Sequence, residues 1–190
     1  MDSPRGTGGG GALSRRTRVF AGVVAAGVVA LVVVGVVVAT RNSGPAPVAA
    51  VAGGGSDRVS FTGTDPITGQ PVELAAYRGK PVVINIWASW CPGCNVEADD
   101  LRRFAQAHPE AQVVGVNIQD TEGGARDFYR RWDWDWPSVS DPSGELAASL
   151  GLQGLPTTLF LDEDHQVVAR IVGEGDLERF EEGLRQATAG

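Results

Sequence analysis

Hydrophobic and polar positions divide this 190-residue chain into four regimes, and only the last has the periodicity of a folded domain. Residues 1–18 are rich in glycine and arginine and show no hydrophobic period, which predicts a disordered tail. Val19 to Ala39 is an uncharged run of 21 residues drawn from Val, Ala, Gly, Leu and Phe. As a helix it would span about 30 Å, the thickness of a bilayer core, so residues 19–40 are assigned as a transmembrane anchor. A buried core helix is the poorer reading, because Val and Gly are weak helix formers in water and the run has no polar face. Residues 41–56 are rich in Pro, Ala and Gly and predict a flexible linker.

From Asp57 onward the pattern resolves into short elements. Arg58–Phe61 and Val72–Leu74 are strand-like pieces around a turn at Asp65–Gly69. Pro81–Trp87 and Ala111–Ile118 are continuous apolar runs of the kind found in buried, parallel strands. Helical patterns cover Cys91 to Ala107, stopped before Pro109, and Thr121 to Arg131, with Asp120 or Thr121 as N-cap. A short helix is expected from Gly144 to Leu150. Thr157–Leu161 and Gln166–Val172 read as an antiparallel hairpin turning at Asp162–His165. Asp176 to Gln186 closes the chain as an amphipathic helix with Leu177, Phe180 and Leu184 on one face. Alternating strands and helices followed by a hairpin and a helix predict an α/β domain with a central mixed sheet flanked by helices. Its 134 residues, 57–190, are enough for a core without disulfide staples.

Charge sharpens the division. Residues 1–56 hold five arginines and one acid, a net of +4, whereas the remainder holds 11 basic and 22 acidic residues, a net of −11. An acidic body excludes nucleic acid as the natural partner. Arg15, Arg16 and Arg18 precede the apolar run and only Arg41 closely follows it, so the N-terminus is expected in the cytoplasm and the domain outside. A cleaved signal peptide and secretion is the alternative, with small residues near Val48–Ala50 as a cleavage site, although the apolar run is longer than such signals usually carry.

The chemistry concentrates in Trp87-Ala-Ser-Trp-Cys-Pro-Gly-Cys94, which holds the only two cysteines of the chain. A Cys-x-x-Cys pair where a buried strand passes into a helix is the arrangement of a reactive dithiol. A thiol of ordinary pKa, about 8.5, is only slightly ionised at neutral pH, and the free N–H groups of a helix N-terminus favour its thiolate. Cys91 is therefore the expected nucleophile, Pro92 suits the first helical position, and Gly93 lets another chain approach. Cys94, one turn into the helix, is the expected resolving thiol and needs a base. Glu97 lies three residues on, as either the proton shuttle or a solvated helix charge. Leu155-Pro156-Thr157 introduces an apolar strand through a tight junction of the kind that admits a cis peptide bond, and could lie against the dithiol as a platform for an extended segment. Alone, Pro156 reads as an ordinary loop proline.

Together, Gly79–Cys94 and Gly151–Leu161 resemble the thioredoxin superfamily and, within it, the TlpA/ResA-like thiol:disulfide oxidoreductases. The resemblance covers about residues 57–188. It implies a thioredoxin-like fold with the hairpin of Asp57–Tyr77 as an N-terminal extension. It also implies that Cys91 is the nucleophile, Cys94 the resolving thiol, Pro156 a cis-proline and Glu97 the acid near the buried thiol. Trp90, Pro92, Gly93, Leu155 and Pro156 would then meet the substrate. The family often carries a proline two residues after the acid, where this chain has Asp99, which puts a helix kink in doubt.

The expected function is thus an extracytoplasmic thiol:disulfide oxidoreductase acting on client proteins with thiols or disulfides. On the resemblance to the TlpA/ResA-like branch alone, a reductant, serving thiols such as those of apocytochrome c, is preferred over an oxidant installing disulfides. No flavin or nicotinamide motif is present, so no cofactor is expected and a separate membrane protein would deliver electrons. The domain is expected to be monomeric. The rival from another class is a client- or copper-binding module. Asn95 after Cys94 rules out a Cys-x-x-Cys-His haem attachment site. Zinc fits poorly because no second Cys/His cluster exists, and copper because only two residues separate the cysteines and His165 falls in a predicted turn. No metal site is assigned. Trp132-Asp-Trp-Asp-Trp136 is either an aromatic rim facing substrate or, the preferred reading, cover for a core edge.

Overall fold

The computed structural model describes residues 58–189 together with the two-residue strand Ala49–Ala50. The assigned tail and anchor lie outside the described residues, as does most of the linker. Among the described residues no helix is long and apolar enough to cross a membrane.

The strands are β1 (Ala49–Ala50), β2 (Thr62–Thr64), β3 (Pro71–Glu73), β4 (Val82–Trp87), β5 (Gln112–Ile118), β6 (Ser138–Asp141), β7 (Thr157–Leu161) and β8 (Val167–Val172). The helices are α1 (Pro92–Ala107), α2 (Glu122–Trp132), α3 (Glu145–Ser149) and α4 (Leu177–Ala187), with a 3₁₀ turn at Leu74–Tyr77. Six strands form one mixed sheet in the order β1-β8-β7-β4-β5-β6. Strand β4 runs parallel to β5 and antiparallel to β7, so it is central and fully buried.

Alternation along β4 separates two cores. Val83 and Trp87 face one side, where they pack with Phe104, Phe128, Phe160 and Phe180 from α1, α2, β7 and α4. Val82, Ile84 and Ile86 face the other, with Val114, Val116, Leu159 and Leu161, beneath Leu74 of the 3₁₀ turn and Ala147 of α3. The three long helices thus cover one face, and α3 with the 3₁₀ turn and residues of the N-terminal hairpin covers the other. Burying a large aromatic side chain such as Trp87 is worth roughly 2–3 kcal/mol.

Two expectations shift. The N-terminal hairpin pairs Thr62–Thr64 with Pro71–Glu73, closer to its turn than expected. The Asp65 carboxylate accepts from the N–H groups of Ile67 and Thr68 and so closes the turn early. Leu74, expected at the end of the second strand, begins the 3₁₀ turn instead. Strand β6 was not foreseen. It pairs parallel to β5 and follows directly on the Trp/Asp run, whose aromatics mask its alternation.

Helix α1 runs unbroken through Asp99, which is exposed and paired with Arg102 and Arg103. Arg102 holds the Asp99 carboxyl below its ordinary pKa.

Candidate active site

At the C-terminal end of β4 the chain turns through Ala88–Trp90 and enters α1 with Cys91 as N-cap. Cys91 is extended, with φ −78° and ψ 120°, and its Sγ accepts from the Cys94 N–H at 3.1 Å. Pro92 occupies the first turn, where a missing N–H costs nothing. Cys91 and Cys94 are joined as a disulfide with their Cα atoms 5.3 Å apart. Both are buried, Cys91 at 2% exposure and Cys94 at 0%. In the reduced state, the donor that meets Cys91 Sγ and the positive end of α1 both favour the thiolate.

Glu97 is buried at 1% exposure, not solvated. Its Oε1 accepts from Asn85 Nδ2 at 2.8 Å and its Oε2 from Gly175 N at 2.8 Å. Burial pushes its pKa up to about 7, against the two hydrogen bonds that pull it down, while Glu174 adds to the rise. Asn85 also donates to Thr158 Oγ1 at 3.0 Å, tying α1, β4 and β7 together through one side chain. Asn85 Oδ1 has no hydrogen-bond partner. Glu97 and Cys94 both lie on the buried side of α1.

The Leu155–Pro156 peptide bond is cis. Pro156 lies against the dithiol: a Cβ built on Gly93 would sit 3.0 Å from Pro156 Cδ and 3.0 Å from Glu174 Oε2. Leu155 is partly buried and touches both cores. The Pro156 carbonyl accepts from Gly173 N at 2.9 Å, so it is already occupied. Upstream, Arg170 of β8 donates to the Leu150 and Gly151 carbonyls, both at 2.9 Å, and so fixes the start of the segment that carries Pro156.

A second carboxylate fixes the other side. Asp120, at the end of β5, accepts from Ser89 N at 2.6 Å, Ser89 Oγ at 2.8 Å, Asn117 Nδ2 at 3.0 Å and Thr121 N at 2.8 Å. Asn95 Nδ2 donates to the Ser89 and Cys91 carbonyls. The turn into Cys91 is therefore held from β5 and from α1. Trp90 is 56% exposed, and its Nε1 donates to Gln119 O at 3.0 Å.

Cys91, Cys94, Trp90, Pro92, Gly93 and Pro156 are thus brought together, with Leu155 beside them and Glu97 beneath. Trp134 and Trp136 are buried and stack at 4.4 Å between centroids, and Trp134 also packs edge-on to Trp87. They cover the core. His165 lies in the β7–β8 turn, at the opposite end of β7 from Pro156, and is buried away from the cysteines. Sequence reasoning missed Asn85, and gave Asp120 no more than a capping role. Asn85 had a legible signal: a lone amide inside an otherwise apolar strand must find polar partners. Asp120 had none, because Ser89, the partner that ties it to the dithiol turn, lies 31 residues upstream.

Residues 57–185 match the Redoxin family model. The thiol-disulfide oxidoreductase ResA of Bacillus thuringiensis subsp. konkukian is 29% identical over 136 residues, which cover 70% of this chain and 78% of that protein. The soluble secreted antigen MPT53 of Mycobacterium tuberculosis is 31% identical over 108 residues, covering 57% of this chain and 62% of that one. Among solved structures, a DsbF homologue from Corynebacterium diphtheriae superimposes with a TM-score of 0.66 and 29% identity, covering 75% of this chain and 94% of that one. The chain belongs to the Redoxin family and is a thiol:disulfide oxidoreductase of the thioredoxin superfamily.

Proposed function

We propose that this protein reduces disulfides in client proteins outside the cytoplasm, tethered by residues 19–40 as a membrane anchor, with Cys91 as nucleophile and Cys94 as resolving thiol. The observation that carries the dithiol mechanism is the buried Glu97, with its pKa near 7, on the same side of α1 as Cys94. The Cys91 thiolate attacks a client disulfide, forms the Cys91–client bond and expels one client thiolate. Cys94 gives its proton to Glu97 and attacks Cys91 Sγ. The Cys91–Cys94 bond forms and the second client thiolate leaves. Two electrons pass from the dithiol to the client, whose disulfide becomes two thiols.

A carboxylate titrating near 7 can accept this proton at neutral pH and return it to a leaving thiolate. Trp90, Pro92, Gly93, Leu155 and Pro156 form the client surface. Since Gly173 occupies the Pro156 carbonyl, the peptide unit of Leu155 is the backbone edge for an extended client segment. A separate membrane protein re-reduces Cys91–Cys94, and apocytochrome c awaiting haem is a fitting client. The secreted relative and the apolar run at 19–40 support an extracytoplasmic site, where disulfides persist.

Thiol alkylation in cells, followed by separation of the oxidised and reduced forms, tests the direction. A dithiol held mainly reduced is expected, whereas one wholly disulfide-bonded at steady state would assign the protein to disulfide formation. Cys91→Ser should abolish client reduction, and full biological function in that variant would leave only a binding role.

A further inference from the structure

Glu174 stands on the β8–α4 loop, between Gly173 and Gly175, and is exposed. Its Oε2 lies 3.0 Å from the position a Gly93 Cβ would take, the same distance as Pro156 Cδ. The carboxylate therefore hangs over the inter-cysteine dipeptide, at the edge of the surface that a client must cross. Among the described residues Glu174 forms no ion pair.

Arg179 Nη1 donates to the Glu174 main-chain carbonyl at 2.6 Å, and Arg131 donates to Asn95 Oδ1. Asp176, the N-cap of α4, and Glu178 in its first turn add two more acids, both exposed. Among the described residues the exposed large hydrophobics are Trp90, Val96 and Val172. Trp90 precedes Cys91, Val96 lies on the second turn of α1, and Val172 pairs with Thr157 next to Pro156.

We propose that Glu174 is a specificity-determining residue, which selects client segments carrying lysine or arginine beside the reacting cysteine and disfavours acidic ones. The inference rests on the dithiol reading above. Apolar side chains are met by Trp90 and Val172, while the residue passing over Gly93 meets the carboxylate. A unit charge about 6 Å from Glu174, at an effective dielectric between 40 and 80, changes the encounter roughly three- to tenfold. The opposite charge gives the inverse factor. Salt weakens both, because the Debye length shrinks from about 10 Å at 0.1 M to about 3 Å at 1 M.

The test uses the reduced full chain and two peptides of one sequence, each with a single cysteine capped as a mixed disulfide by mercaptoethanol. One has lysines flanking the cysteine and the other glutamates. Rates are divided by those for dithiothreitol, which removes the peptides' intrinsic reactivity, and the ratio between peptides cancels any general effect on Cys91. At low salt the lysine peptide should react about tenfold or more faster. Glu174→Gln should reduce that ratio at least threefold, Glu174→Lys should lower it further, and 1 M salt should bring all three proteins together. A ratio equal within twofold in wild type, Glu174→Gln and Glu174→Lys would overturn the role of Glu174. Failure of the protein to reduce either peptide would instead overturn the dithiol reading itself, and this inference with it.

Discussion

Two carboxylates flank the entry to helix α1, and they are treated in opposite ways. Asp120 is surrounded by four donors, from Ser89 twice, from Asn117 and from Thr121. Four donors match the lone-pair capacity of a carboxylate, so Asp120 works as a fixed acceptor that holds the turn before Cys91. Glu97 is buried more deeply and has only two donors, Asn85 and Gly175. Desolvation then outweighs hydrogen bonding, and the group titrates near 7. The same functional group is a strut on one side of the dithiol and a proton carrier on the other, according to how many donors the fold provides.

The largest expected effect comes from removing the carrier. Glu97→Gln should slow resolution of a mixed disulfide at pH 7 by about 100-fold, the lower end of general acid–base contributions, and erase the inflection near pH 7. Rapid-mixing kinetics across pH 5–9 measure both, and a retained inflection would transfer the proton to another group. The same variant reads out in stability. In the folded oxidised protein Glu97 keeps its proton up to about 7, whereas in the unfolded chain it loses it near 4.3. The native state therefore binds more protons between these values, and its stability falls as pH rises through that window, by roughly 4 kcal/mol, then levels off. Urea titrations should find that slope reduced in Glu97→Gln.

Removing the strut should cost less and change a different quantity. Asp120→Ala is expected to lower stability by about 2 kcal/mol through the donors it leaves unpaired, with the inflection near pH 7 in place. Should Asp120→Ala move that inflection by a full unit, the two carboxylates would be one coupled system and the contrast between them would collapse. The smallest effect tests the donor count directly. Asn85→Leu, close in volume, withdraws one of the two donors and should raise the inflection by about half a unit to one unit.

Much of this was legible in the sequence because the elements carry strong periods. Val82–Trp87 has a continuous apolar run and α4 a clear amphipathic face, so the sheet centre and its closing helix follow from burial alone. Cys91 and Cys94 are the only thiols, and the proline at Pro92 marks the helix start. Strand β6 escaped because four residues after three tryptophans offer too little alternation to read. The surroundings of Glu97 escaped for another reason. Whether an acid on a helix is solvated or buried depends here on Asn85 and Gly175, 12 and 78 residues away, with Asn85 also bonded to Thr158, and these meet it only once the sheet is assembled.

The crowding over Gly93 bears on how this enzyme's redox properties can drift or be redesigned. In a dithiol of this kind the two residues between the cysteines are the obvious dial for setting reactivity. Here one notch of that dial is jammed. Glu174 ends a flexible side chain and could swing aside for a larger residue, but Pro156 is a ring fixed at the head of β7 and cannot. Any side chain at position 93 would press on the surface where clients are expected to dock. Changes of potential in descendants of this protein should therefore accumulate at position 92, or in the shell around Glu97, while glycine persists at 93.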